Sequence, residues 1–244
     1  MRGRGVLLAI LAICVAMPVA TRADTQVIDS HTAEPLGHGE MRWEVGVGPE
    51  GSVLSSVRVG VFERFQFGIS YGMQDVLGRG DVDINPRPGI QLQALVVDQI
   101  GLPAVAVGFD SQGRGRWLRR DLRYERKSPG FYAVATRNLL ARALPVLTAL
   151  SGGVSFSLEG KRESFDLFVG LTQTFGRNFS VLADYDLGLD ERGNDADRGY
   201  LDFGIQWRFG AGSHIRFLLR DLLGNLDGSG KVARELNFFY LFRL

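Results

Sequence analysis

The chain is poor in several residue types, and each shortage excludes something. It has one cysteine, Cys14, which lies in an N-terminal apolar run. If that run is removed, no thiol remains, so neither a disulfide framework nor a cysteine nucleophile is available. Lysine is nearly absent: only Lys127, Lys161 and Lys231 among 28 basic residues. Histidine is limited to His31, His38 and His214. The formal charge is only +1, so no basic field points to nucleic acid and no acidic excess points to disorder. Beyond the N-terminus no apolar stretch approaches the roughly 20 residues a spanning helix needs, which excludes a helical protein of several spans. After Asp24 no amphipathic helix is legible either.

The one apolar run is "MRGRGVLLAILAICVAMPVATRA". Arg2 and Arg4 precede apolar residues from Val6 to Ala20, and Thr21 and Ala23 occupy the −3 and −1 positions of a cleavage before Asp24. This pattern predicts a secretory signal peptide over 1–23. The run is short for a membrane anchor. A lipoprotein would need a small residue before Cys14, where Ile13 stands. Cleavage leaves 25 basic and 27 acidic residues, a formal charge of −2.

What the chain does have is alternation. "MRWEVGVG" sets Met41, Trp43, Val45 and Val47 on one face. "FQFGISYG" repeats this with Phe65, Phe67, Ile69 and Tyr71, and "GIQLQALVVD" with Ile90, Leu92, Ala94 and Val96. "YLDFGIQWRF" sets Leu201, Phe203, Ile205, Trp207 and Phe209 against Asp202, Gln206 and Arg208. Period-two alternation between turn signals reads as half-buried strands. About twelve such segments begin near residues 41, 52, 65, 89, 103, 130, 146, 165, 179, 199, 214 and 232. Most run for roughly 8–13 residues, the length of a tilted strand crossing a bilayer and longer than the common soluble strand.

The connections repeat the message. With the first strand running outward, inner turns fall near 63 and at 99–103, 139–145, 176–178 and 210–213. Outer loops fall at 49–51, 74–88, 111–128, 159–164, 190–198 and 223–231. The long connections share one side, as in outer-membrane barrels. The chain ends "ARELNFFYLFRL", with Leu236, Phe238, Tyr240, Phe242 and Leu244 on one face. An even strand count lets this last strand pair with the first and leave no open edge, as lipid demands. The predicted fold is all-β: one antiparallel outer-membrane β-barrel of about 12 strands over 41–244, behind an N-terminal periplasmic segment, 24–40. A soluble β-sandwich also alternates, but the long strands and aromatic faces argue against it.

Alternation points Arg42, Glu44, Asp184, Asp186, Asp202, Arg208, Arg216, Arg220 and Glu235 inward, as charges lining a lumen. Arginine presents a planar fork suited to buried carboxylate pairs. Asp184 and Asp186 share a face and read as arginine partners rather than a glycosidase pair. Ser213 and His214 are adjacent in sequence and so point to opposite faces of a strand, which does not make a hydrolase pair. The acidic loop residues Asp190, Glu191, Asp195 and Asp197 do not match a helix-loop-helix calcium pattern. "GFDSQGRGRW" follows a strand with no helix after it, which defeats a nucleotide-binding reading. No catalytic residue, cofactor or metal is assigned, and nucleic acid is not expected as a partner.

"HTAEPLGHGE", "RVGVFERFQFGISYG", "PAVAVGFDSQGRG" and "KSPGFYAVATRNL" together resemble the YjbH-like family of bacterial outer-membrane proteins. "GYLDFGIQW" and "RDLLGNL" fit the same pattern, and the resemblance spans most of 31–244. It implies a barrel without catalytic residues, linked to exopolysaccharide production and export. On that resemblance the chain is expected to be a single-barrel version, shorter than the long members.

These readings lead to a non-enzymatic, monomeric outer-membrane barrel. Its expected surroundings are membrane lipid and lipopolysaccharide. Its last strand, 232–244, is expected to meet the barrel-assembly machinery. Its expected function is a pore for small solutes or a saccharide, or an accessory to exopolysaccharide export. The alternative is a plugged structural or adhesion barrel acting through its outer loops. A lipid-acting enzyme is the third and least supported reading.

Overall fold

The computed structural model describes residues 24–78, 80–140, 146–160, 165–190, 199–210, 212–225 and 232–244. The predicted signal peptide, 1–23, lies outside these residues, as do Glu191, Asp195, Asp197, Lys161 and Lys231.

Twelve strands form the wall: β1 (Glu40–Val47), β2 (Val53–Val61), β3 (Phe65–Gln74), β5 (Gly89–Val97), β6 (Ala104–Asp110), β9 (Gly130–Leu140), β10 (Val146–Phe156), β11 (Phe165–Phe175), β12 (Phe179–Asp186), β13 (Tyr200–Phe209), β14 (Ser213–Arg220) and β15 (Ala233–Arg243). Each begins within one residue of the position that alternation gives. The two-residue β4 (Asp83–Ile84) extends the sheet beside β3. β7 (Arg114–Leu118) and β8 (Arg123–Arg126) make a separate hairpin in the connection between β6 and β9. Among the described residues there is no α-helix.

Neighbouring strands pair in chain order, and β15 pairs with β1 from Glu40↔Arg243 to Val47↔Leu236. The sheet is therefore a closed antiparallel barrel. β15 supplies the closing ladder to β1, which leaves no edge. Short connections such as 62–64 and 176–178 gather at one end, the turn end. The described parts of the connections after β3, β6 and β12, residues 75–78, 80–88, 111–129 and 187–190, gather at the other, the loop end. The tight turn after β2 puts Phe62 and Glu63 at positive φ (54° and 57°), the geometry of a two-residue hairpin turn that matches strand twist.

The outer face is apolar. Phe65, Phe67, Ile69, Ile90, Leu92, Phe203, Ile205, Trp207, Leu236 and Phe238 are exposed on it. Aromatic side chains ring both ends. Phe175 and Phe179, Trp207 and Phe209, and Tyr240 and Phe242 make ring contacts near the turn end. Phe109 with Phe131, and Phe156 with Phe165, do so near the loop end. An apolar band between aromatic girdles is the surface a barrel presents to lipid.

The inner face is polar, and it is filled. The segment read from sequence as a periplasmic lead-in, 24–40, instead folds into the barrel up to the start of β1. It is a small hairpin: Gln26 and His31 form an isolated antiparallel bridge, Val27 N donates to Ser30 O (3.0 Å), and Thr32 N to Thr25 O (3.2 Å). Its polar backbone and short side chains find partners on the wall, among them Asp184, Thr136 and Gln93. Val27 and Ile28 pack with Leu182 and Leu218 of the wall. Ala33 packs with Ala104, Ala106, Tyr132, Val134 and Phe168. Burying Val27 and Ile28 contributes about 1.5–3 kcal/mol each. The plug fits because Gly170 has no side chain: a Cβ there would lie 2.7 Å from Val27 Cγ2.

Candidate functional site

The site is the lumen, built from inward positions of the strands and from the N-terminal hairpin. From the turn end upward, the first layer surrounds Asp24. Its carboxylate accepts from Arg42 Nη1 (3.2 Å), Arg216 Nη2 (2.8 Å) and Gln206 Nε2 (3.0 Å). Arg42 also pairs with Glu44 (2.9 Å), and both guanidinium groups sit over the Phe239 ring, at 3.8 Å for Arg42 and 4.9 Å for Arg216. Burial, the largest influence, pushes the Asp24 carboxyl up. Arg216 and Arg42 together outweigh it and hold the group well below the usual carboxylate range.

The second layer holds the hairpin's middle. Arg58 donates to Gln26 Oε1 (2.5 Å), Thr25 Oγ1 (3.3 Å) and Gln91 Oε1 (2.7 Å). His31 stacks on Tyr132 with ring centroids 3.9 Å apart, and its Nε2 lies 3.5 Å from Asp110 Oδ2. Burial, and then the neighbouring Arg58, push the His31 imidazole down to about 3. The ring is therefore neutral at ordinary pH.

The third layer clasps the hairpin tip. Asp29 accepts from Arg114 Nε (3.0 Å), Arg126 Nη1 (2.9 Å) and Arg220 Nη1 (2.7 Å). Arg220 belongs to β14 of the wall, whereas Arg114 and Arg126 come from the β7–β8 hairpin at the loop end. The lumen is thus closed from both directions, and Asp29 is the joint. Its carboxyl is pushed up by burial and held far down by Arg114, Arg220 and Arg126. Around it, Arg126 also reaches Asp186 (3.1 Å) and Asp202 (2.8 Å), and Arg220 reaches Glu235 (2.6 Å). The loop-end hairpin is itself pinned: Arg116 bridges Asp75 (3.0 Å) and Glu50 (3.4 Å).

The nine charges singled out from the sequence all face the interior, but they divide. Asp186, Asp202, Arg220 and Glu235 meet in the third layer. Arg42, Glu44 and Arg216 meet in the first. Asp184 makes no ion pair with a described arginine: it accepts the backbone N–H groups of Asp29 (2.7 Å) and Ser30 (2.6 Å), and the Ser30 hydroxyl. Arg208 stands apart near the turn end, where its Nε donates to His214 Nε2 (2.9 Å). His214 itself stacks on Phe239 at 4.3 Å.

Sequence reasoning missed Asp24, Asp29, Ser30, His31, Arg58, Arg114 and Arg126. One signal was available. Phe168, Leu182 and Leu218 sit on the polar faces of their strands, and apolar residues aimed into a lumen need an apolar occupant. Among the described residues no His/Cys/Asp/Glu cluster is placed to hold a metal ion.

No family model matches the chain, and no curated protein matches it. Among solved structures it is similar to the NanC porin, at 10% identity over 84% of this chain and 100% of that one, with a TM-score of 0.49. It is similar to the KdgM porin at 8% identity over 84% and 99%, TM-score 0.49. It is also similar to the Acinetobacter baumannii outer membrane protein Omp33, at 8% over 84% and 97%, TM-score 0.49.

Proposed function

We propose that this chain is a non-enzymatic outer-membrane channel closed at rest by its own N-terminal hairpin. The closed barrel, the apolar belt and the aromatic rings support the membrane setting, with the turn end facing the periplasm. The observation that carries the reading is the clasp of Asp29 by Arg114, Arg126 and Arg220. An open column lined by the nine inward charges, the simple pore, does not fit a lumen in which most of them pair with the hairpin or with one another. The hairpin is held largely by charge and hydrogen bonds and, among the described residues, continues into the wall through β1. Such a plug can leave through the turn end without breaking the barrel ladder. The cargo class, a small solute or saccharide, and a role beside exopolysaccharide export rest on the resemblance to the YjbH-like proteins.

A second reading is a permanently plugged structural or adhesion barrel. It is favoured by the pinned β7–β8 hairpin and by the exposed apolar residues Leu77, Val82 and Leu122 in the loop-end connections.

One experiment separates them. Ion conductance is recorded in a planar bilayer for the refolded full chain and for a variant lacking residues 24–38. The gated channel gives a nearly silent full chain and discrete steps in the variant. Steady large steps in the full chain would sink the plug. A folded but silent variant would sink the channel and leave the structural barrel.

A further inference from the structure

The outer wall is not uniform. Across β3, β5, β6 and β9, two rows of outward side chains run side by side. One row is Phe67, Leu92, Phe109 and Phe131. The other lies two residues nearer the turn end on every strand: Phe65, Ala94, Val107 and Ala133. Phe156 and Phe165, with rings 5.2 Å apart, carry the large row on to β10 and β11. The step from rings to alanine leaves a trough of about 680 Å3 along an aromatic ridge. Its volume falls in the range of small-molecule sites. On β12 to β15 the row Val181, Ile205, Phe217 and Leu236 is large on every strand and makes no such step.

The trough's place on the wall points to its occupant. Its outward side chains are all apolar, and Gln66, Gln93 and Ser155 beside them are buried on the lumen side. It is continuous with the apolar belt, so hydrocarbon meets it rather than water. The ridge closes it toward the loop end. Toward the turn end it is open, and the outward face of β9 runs on from Ala133 through Ala135 to Arg137. Four residues of about 3.4 Å each, on a strand tilted by roughly 40°, set Arg137 about 10 Å nearer the turn end than Ala133. One leaflet's share of the hydrocarbon core is about 15 Å, so Arg137 reaches the level of its head groups. Arg137 donates to Gly101 O in the turn after β5 and makes no ion pair among the described residues. A cation at the foot of an apolar trough suits a phosphate whose acyl chain lies above it.

We propose that the trough is a binding site for one phospholipid of the turn-end leaflet. An acyl chain lies over Ala133 and Val107 beneath the aromatic ridge, and Arg137 takes the phosphate. The site needs the membrane setting and not the gate. A lipid of the loop-end leaflet would have to cross the ridge, with its head group on the side away from Arg137.

The test is native mass spectrometry of the refolded full chain released from detergent, with heat-modifiable migration as the folding control. The probes are palmitoyl-oleoyl phosphatidylglycerol, the matching diacylglycerol, which has the chains without the phosphate, and lipid A. One phosphatidylglycerol stays bound, and diacylglycerol binds at least about tenfold more weakly, because a charge-assisted contact is lost. Ala133→Phe fills the floor of the trough and weakens phosphatidylglycerol binding by about tenfold or more. Arg137→Gln weakens it by about tenfold, and it carries the test alone if Ala133→Phe does not fold. Val181→Phe, which adds a ring to the far row, binds as the parent does. Equal binding by the parent and the two trough variants would mean an unspecific lipid annulus and overturns the proposal. So does a loss in Val181→Phe equal to that in Ala133→Phe. Diacylglycerol bound as tightly as phosphatidylglycerol would remove the phosphate contact, and a parent that prefers lipid A would place the lipid in the other leaflet; either result overturns the proposal.

Discussion

Asp29, at the tip of the N-terminal hairpin, lies 2.7 Å from Arg220 of β14. This contact joins the plug to the wall, and the same carboxylate oxygen receives Arg126 at 2.9 Å from the loop-end hairpin. Removing one partner of a buried charge cluster costs about 3–5 kcal/mol, because the others are left uncompensated. Asp29→Asn removes the charge and keeps the shape. The expected outcome is a barrel that still migrates as folded but opens in brief steps in a planar bilayer. A variant as silent as the parent would show that Asp29 does not hold the plug.

The outer face has its own test. Phe203 is 38% exposed on β13, opposite Ala183 of β12 and Leu219 of β14. An arginine on the lipid face near the bilayer midplane costs about 2–4 kcal/mol. Phe203→Arg should therefore lower folding stability in lipid vesicles by about that amount, measured by urea titration of tryptophan fluorescence. Unchanged stability would mean that the belt does not meet lipid.

Acid should loosen the plug, and the sign follows from three groups. His31 is held to about 3 in the folded protein, below its ordinary value of 6.5. Between these values the undocked chain binds the extra proton, so docking weakens as pH falls through that window, by up to ~1.4 kcal/mol per pH unit. Asp24 and Asp29 are held below the ordinary carboxylate value, so their contribution is present above about pH 4 and is lost as pH falls further. Facing His31 are Arg58, Arg114, Asp29 and Asp110; Asp29 favours its protonation, but burial and the two arginines oppose it and outweigh that pull. Open probability should rise from pH 6.5 downward. His31→Gln should flatten the part above pH 4 only. A flat profile in the parent protein would refute the assignment.

Most of the wall was legible in the sequence, because lipid outside and water or charge inside impose a period of two on every strand. Phe203, Ile205 and Trp207 against Asp202 and Gln206 carry that signal in a single strand. The closing pair β1–β15 was legible too, since an even number of strands lets the last alternating segment pair with the first. The plug was not. Residues 24–38 have no period of their own, and their order comes from partners on other elements, some of them more than 100 positions away, such as Asp184 for Ser30 and Thr136 for Ala33. Asp184 was read as an arginine partner because alternation gives a residue's face and not its neighbour. The hairpin's polar backbone, invisible as a sequence feature, turned out to be that neighbour.

Gly170 tests the plug without touching a charge. It faces the lumen from β11, and a Cβ built there would lie 2.7 Å from Val27 Cγ2, 3.1 Å from Val27 Cβ and 3.3 Å from Ser30 Cβ. All three atoms belong to the plug. Glycine is also a weak strand residue, so a larger side chain at this position does not disfavour the wall itself. Gly170→Leu should thus expel the hairpin while keeping the barrel ladder, with β10 and β12 still paired to β11. The expected result is folded migration on a gel, sustained conductance steps, and new protease sensitivity confined to residues 24–38. Asp29→Asn weakens the same docking by charge, Gly170→Leu by volume. If both open the barrel and their combination opens it no further, they act on one plug. If Gly170→Leu unfolds the barrel, the hairpin is part of the wall's stability, and the permanently plugged reading takes precedence over the gate.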